Sequence, residues 1–179
     1  RRQRQMCIRD RDNGAHILDV NVGLPDIDES AMMCEVVQEL QSIINLPLQI
    51  DTVDPKAMEA AMRIYNGKPM INSVNGKQES MDAVFPLIQR YGGTVVGLTI
   101  DENGIPATAK GRVEIAGKII REAEKYGIDK KDIVIDVLAM TISSEPEGAK
   151  ITLDALKQVR KQYGVRTVLG VCLLYTSDA

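Results

Sequence analysis

The sequence has no apolar run long enough to cross a bilayer and no charged-then-apolar leader, which predicts a cytoplasmic chain that does not meet a membrane. Histidine occurs once. His16 has no second His or Cys at metal-ligand spacing, so a structural role is expected and no metal. Cysteine occurs three times, and two of the three, Cys7 and Cys172, fall in end segments set apart below. With Cys34 left alone an internal disulfide framework is excluded, as expected of a reducing compartment. Cys34 falls on an apolar helix face and reads as a small buried hydrophobe. Positive charge is also scarce, with 22 basic against 25 acidic residues, a net of −3. That balance speaks against nucleic acid as a partner.

The two ends differ from the rest. Arg1-Arg2-Gln3-Arg4-Gln5-Met6-Cys7-Ile8-Arg9-Asp10 and Cys172-Leu173-Leu174-Tyr175-Thr176-Ser177-Asp178-Ala179 resemble translations, in opposite orientations, of an adapter used in preparing sequencing libraries. Residues 1–11 and 172–179 are therefore read as not native, and residues 12–171 as one partial domain of a longer protein. Without the ends, the 22 basic and 25 acidic residues become 17 and 23, a net charge of about −6.

What remains alternates strand and helix. Ile17-Leu18-Asp19-Val20-Asn21 reads as a strand. A helix follows with Ala31, Met32, Val36, Val37, Leu40, Ile43 and Ile44 near helical spacing, and Asp28 or Asp26 as its cap. Leu48-Gln49-Ile50-Asp51 is the next strand. Asp54-Pro55 then supplies a capping side chain followed by proline at the first helical position, and the helix buries Met58, Ala61, Met62 and Tyr65. Pro69–Asn72, Thr94–Ile100, Ile133–Asp136 and Thr167–Val171 are four more strands. The helices between them carry Met81, Val84, Phe85, Ile88 and Tyr91, then Val113, Ala116, Ile119, Ile120 and Ala123, then Ile151, Leu153, Leu156 and Val159. Three helices finish at Tyr91-Gly92, Tyr126-Gly127 and Tyr163-Gly164, where glycine can take the left-handed conformation that closes a helix. This is the rhythm of βαβ units on a parallel sheet. Six strands are too few for a closed eight-fold barrel, so the fold is either an open doubly wound sheet or a barrel lacking two units.

Several strands end on one polar residue: Asn21, Asp51, Asn72, Asp101 and Asp136. In a (β/α) barrel all such ends open on one face, where the site is built. Asp51, Asn72 and Asp136, joined by Asp19 and Asn21, are expected to meet at one mouth. Carboxylates and a carboxamide without a neighbouring Lys or Arg suit a ligand with several N–H donors and a carbonyl or ring nitrogen. A pterin offers that edge. Asp101-Glu102-Asn103-Gly104 carries the start of a calcium loop, but Ile105, Ala107 and Ala109 stand where later oxygens are needed, so a turn is expected. Gly76-Lys77 lacks the rest of a nucleotide-binding loop.

At Gly14-Ala15-His16-Ile17-Leu18-Asp19-Val20-Asn21-Val22-Gly23, Ile50-Asp51-Thr52, Ile71-Asn72-Ser73-Val74-Asn75-Gly76, and Asp136 with Leu138-Ala139-Met140-Thr141-Ile142, the chain resembles the pterin-binding domain of cobalamin-dependent methionine synthase. That family includes methyltransferases serving corrinoid iron–sulfur proteins and, more distantly, dihydropteroate synthase. The resemblance implies a partial (β/α)8 TIM barrel holding strands two to seven. It implies that Asp51, Asn72 and Asp136 bind the pterin of 5-methyltetrahydrofolate, with Asp19 and Asn21 shaping the mouth. It also implies methyl transfer to cob(I)alamin carried on a partner module, with a homocysteine-binding module on the same or a separate chain and no metal bound by this segment. N5 must gain a proton or a strong hydrogen bond as the methyl leaves, and in this family an extended polar network does this rather than one dedicated acid.

Three departures set limits on the transfer. The family's first strand, with its own Asn, would precede residue 12. Gly170-Val171-Cys172-Leu173 stands where the family carries the Asn that reaches N5, and Val137 follows Asp136 where proline is usual. The chain as written is therefore expected to keep part of a binding site without turning over. The rival readings are a dihydropteroate synthase-like condensing enzyme and a non-catalytic pterin-binding fragment. The first needs a basic, phosphate-binding mouth, whereas Val22-Gly23-Leu24-Pro25-Asp26 is acidic and has no Ser, Thr or Arg.

Overall fold

A computed structural model describes residues 8–139 and 147–170. Most of the suspected adapter ends, Met140-Thr141-Ile142 of the fourth motif, and Val171-Cys172-Leu173 lie outside the described residues. The described strands are β1 (Leu18–Asn21), β2 (Leu48–Asp51), β3 (Met70–Asn75), β4 (Thr94–Leu98), β5 (Ile133–Asp136) and β6 (Arg166–Val168). The helices between them are α1 (Glu29–Ile43), α2 (Pro55–Ile64), α3 (Gln78–Tyr91), α4 (Ala109–Lys125) and α5 (Gly148–Tyr163). The strands form one sheet in chain order, and the pairings of β1 with β2, β2 with β3, β4 with β5 and β5 with β6 are parallel. The fold is a partial (β/α)8 barrel. Among the described residues no helix is long and apolar enough to cross a membrane.

The chain divides into two compact units, residues 1–73 with 90–94, and residues 74–89 with 95–179. In the first unit, β1 and β2 alternate strictly: Leu18, Val20, Leu48 and Ile50 are buried, while Asp19, Asn21, Gln49 and Asp51 are exposed or half-buried. One face of each of these strands is polar along its length, not only at its last residue. A period-two pattern in a parallel sheet means that only one face is packed on helices. Helices α1 and α2 pack on each other, α1 on β1 and α2 on β2. Asp28, of the two caps considered, closes the start of α1 by accepting from the Ala31 N–H at 3.1 Å. Asp54 caps α2 with Pro55 in its first turn, as the dipeptide predicts. At the far end of α2 the Tyr65 hydroxyl accepts from the Leu48 N–H at 3.1 Å, tying the helix exit to the start of β2.

The α1 stripe is met at Val37, Leu40 and Ile44 and differs in its first turn. Met33, Val37, Leu40 and Ile44 are buried, whereas Ala31 is exposed and Met32 and Cys34 are half-buried. The apolar surface of α1 is wider than the seam that β1 and α2 cover, and packing chose the 4-3-4 spaced subset. Cys34 is therefore not fully buried.

In the second unit, β5 is buried at Ile133, Val134 and Ile135, and α4 buries the expected Val113, Ala116, Ile119, Ile120 and Ala123. It also buries Arg112, which is 1% exposed. Helix α5 is again shifted. Thr152, Ala155 and Val159 are buried, and Leu153 is 54% exposed. The Thr152 hydroxyl is satisfied by Arg112 and by the Leu138 carbonyl, which is what lets a polar residue take the inner face. The three Tyr-Gly ends behave as read, with Gly92 and Gly127 at φ 74° and Gly164 at φ 70°. Asp101 and Gly104 form a turn in which the Asp101 carboxylate accepts from the Asn103 N–H at 2.8 Å.

Candidate functional site

Register, more than any single residue, builds the candidate site. Asn21 is the partner of Asp51 across β1 and β2, and Asp51 is the partner of Asn72 across β2 and β3. Three of the residues expected to converge thus form one row across the sheet: Asn21 and Asp51 end their strands, whereas Asn72 is the third residue of β3, which runs on to Asn75 rather than ending at Asn72 as expected. One step earlier, Asp19 is the partner of Gln49. Residues two apart in a strand share a face, so Asp19, Asn21, Gln49, Asp51 and Asn72 all belong to the polar side of the first unit.

Hydrogen bonds fix the row. The Asn21 amide donates to Asp51 Oδ2 at 2.9 Å while its Oδ1 accepts from the Gly23 N–H at 3.0 Å, so the side chain is held at both ends. Gln49 Nε2 donates to Asp19 Oδ1 at 2.6 Å. Behind Asp51, the Thr52 hydroxyl donates to Glu29 and accepts from the Asp54 N–H at 3.0 Å, and the Thr52 N–H donates to the Asn72 carbonyl at 3.0 Å. The start of α1 and the loop after β2 are therefore joined. Burial pushes the Asp19 carboxyl above its ordinary pKa. The Gln49 hydrogen bond pulls it back down, and the charge of Asp51 adds to the rise.

Asp136 lies in the second unit, at the C-terminal end of β5. Its Oδ1 accepts from the Leu138 N–H at 2.7 Å. Burial raises its pKa, opposed by backbone N–H bonds from Leu138 and Gly170. Leu138 has φ 62°, a left-handed backbone that a branched side chain adopts only when its surroundings enforce it. Arg112 does the enforcing. Its Nη1 donates to the carbonyls of Val137 at 2.9 Å and Leu138 at 2.6 Å and to the Thr152 hydroxyl at 3.1 Å, and its Nε to the Pro106 carbonyl at 3.0 Å. With Val137 in place of the usual proline, the loop is shaped by this buried guanidinium.

Sequence reasoning missed Arg112 and Gln49. Gln49 was visible as the polar member of Leu-Gln-Ile-Asp, where strict alternation signals a polar strand face. Arg112 gave no such signal, since a single Arg beside an apolar stripe ordinarily points to water. The Gly76-Lys77 segment is a structural turn. The Gly76 N–H donates to the Ile100 carbonyl at 2.8 Å, and Lys118 Nζ donates to the Gly76 carbonyl at 2.6 Å. Among the described residues no three His, Cys, Asp or Glu side chains come together as metal ligands.

The fold is a partial (β/α)8 barrel, and its first unit carries a row of amide and carboxylate side chains. The pterin binding enzyme family matches residues 4–174, and the chain belongs to that family. It is 32% identical over 170 residues to methionine synthase from Mycobacterium tuberculosis, covering 89% of this chain and 14% of that protein. It is also 32% identical over 147 residues to methylcorrinoid:tetrahydrofolate methyltransferase from Eubacterium limosum, covering 79% of this chain and 53% of that one. Among solved structures, dihydropteroate synthase from Xanthomonas albilineans in complex with 7,8-dihydropteroate superposes with a TM-score of 0.68 at 25% identity, over 94% of this chain and 62% of that one. The chain spans about one seventh of the first relative's length and about half of the second's.

Proposed function

We propose that this chain holds the pterin ring of 5-methyltetrahydrofolate for methyl transfer to a corrinoid, as in methionine synthase. The observation that carries this reading is the Asn21–Asp51–Asn72 row, a carboxylate flanked by two carboxamides. Asp51 accepts from the pterin amino group and ring N–H. Asn72 both gives and accepts, and Asp136 is a further pterin contact. Asn21 holds Asp51 in place, and Asp19 borders the row. The corrinoid, carried on a partner module, supplies the methyl-accepting nucleophile, while this chain supplies position and electrostatics. A homocysteine-binding module belongs to the same assembly.

The names of both methyltransferase relatives support this choice over the condensing enzyme whose fold the chain also shares. So does the acidic Val22–Asp26 loop. Titrating the chain with methyltetrahydrofolate and with a pterin pyrophosphate tests it directly. Saturable binding of the first with weak or no binding of the second is expected, and the reverse order would overturn the reading. Adding cob(I)alamin to the methyltetrahydrofolate complex then separates binding from turnover. Binding without transfer is the expected result for this chain alone.

A further inference from the structure

The polar face of β1 and β2 is a two-by-two block. Asp19 and Asn21 stand on β1, Gln49 and Asp51 on β2, so the carboxylates occupy one diagonal and the carboxamides the other. Each carboxamide donates to the carboxylate opposite it, Asn21 to Asp51 at 2.9 Å and Gln49 to Asp19 at 2.6 Å. Two carboxylates on one face oppose each other's charge, which favours the neutral form of Asp19 beside the larger effect of its burial. The diagonal arrangement counters this by giving each carboxylate its own N–H donor. We propose that Gln49 is a positioning residue for pterin binding: its amide fixes the Asp19 carboxylate beside Asp51 and keeps it an acceptor, so that the face offers no competing O–H donor to the ligand's N–H edge.

The importance of this for ligand binding rests on the function proposed above, but the Gln49–Asp19 coupling does not. A protonated Asp19 would place an O–H donor where a pterin also brings donors. Asp19 feels burial and the charge of Asp51 from β2, both favouring its neutral form, and Gln49 is the group that opposes them. Neither Asn21 on its own strand nor Gln49 carries a charge. The expected consequence is that loss of the Gln49 amide lets Asp19 take up a proton at higher pH.

The test uses the full chain and two variants. Gln49→Met keeps the volume and removes the donor, and Gln49→Glu removes the donor and adds a charge. Carboxyl NMR of the ligand-free chain should show Asp19 titrating at higher pH in Gln49→Met than in the parent, and higher again in Gln49→Glu. Methyltetrahydrofolate binding by Gln49→Met should weaken roughly fivefold at mildly acidic pH and less at neutral pH. An Asp19 titration that does not move in folded Gln49→Met overturns the inference. So does an affinity loss that is the same at every pH, which a merely structural role would give. If the parent chain binds no methyltetrahydrofolate at any pH, the proposed function falls, while the Asp19 titration still decides the Gln49 coupling.

Discussion

The Asn21 carboxamide is clamped between the Gly23 N–H and the Asp51 carboxylate, at 3.0 and 2.9 Å, and so joins a loop to the centre of the polar row. Asn21→Ala should weaken methyltetrahydrofolate binding by about 1 kcal/mol, roughly fivefold, without unfolding the chain. Asn21→Asp sets a second negative charge against Asp51 and should cost more. Calorimetric titration of both variants checks the order, and equal affinities would remove Asn21 from the site.

Asp51 sits at the middle of the row and should be the most sensitive position. Asp51→Ala removes a charge-assisted acceptor worth roughly 1.5 to 3 kcal/mol, a loss of about tenfold to 150-fold in affinity. An affinity unchanged within error would show that the pterin binds elsewhere.

For Asp136 the pH dependence has a definite sign. Burial raises its folded-state pKa above the unfolded value, so between the two values the folded chain binds more protons than the unfolded chain. Its contribution to stability is full below the unfolded pKa and is lost as pH rises through the folded one. Asp136→Asn keeps an oxygen for the Leu138 N–H and removes the buried charge. It should therefore be as stable as the parent or more stable at neutral pH while binding pterin less tightly. Urea unfolding across pH, beside a binding titration, checks both halves. A stability difference that does not vary with pH would contradict the argument.

Arg112 should matter through the loop it holds. Arg112→Met leaves the Pro106, Val137 and Leu138 carbonyls without their guanidinium donor, at a cost of about 3 kcal/mol or more. Arg112→Lys should recover only part of this, because a point charge on a flexible stem cannot match a planar fork of donors. Denaturant midpoints measure both variants, and a midpoint near the parent's for Arg112→Met would sink the assignment.

At Gly76 a Cβ would lie 2.6 Å from Ile115 Cγ2 and 3.0 Å from the Ile100 carbonyl oxygen. Gly76→Ala should destabilise by about 1–3 kcal/mol, since neither neighbour is the free end of a long side chain. Gly92→Ala, where a Cβ meets nothing within 4 Å but φ is 74°, should show a penalty from backbone strain alone. Thermal unfolding of the two distinguishes overpacking from strain.

The local features were readable from the chain alone, because each depends on residues a few positions apart. Asp54-Pro55 opens a helix, Gly92, Gly127 and Gly164 close three, and Ile133–Asp136 is a strand with the bounds expected of it. The strand-end acidic and amide residues were also readable, as a list. What the sequence could not set is which parts of an apolar surface face inward. Helix α1 buries Met33 rather than Met32, and α5 buries Thr152 rather than Leu153, because the neighbouring elements choose the seam. Partnership was equally out of reach. Gln49 and Asp19 are thirty residues apart, and Arg112 and Leu138 twenty-six. Such pairs meet only once parallel register and helix docking are fixed. The sequence by itself thus determined the order of elements and the kinds of polar groups at the strand ends. Tertiary structure alone decided which of those groups share a hydrogen bond, since that depends on alignment across strands rather than along one.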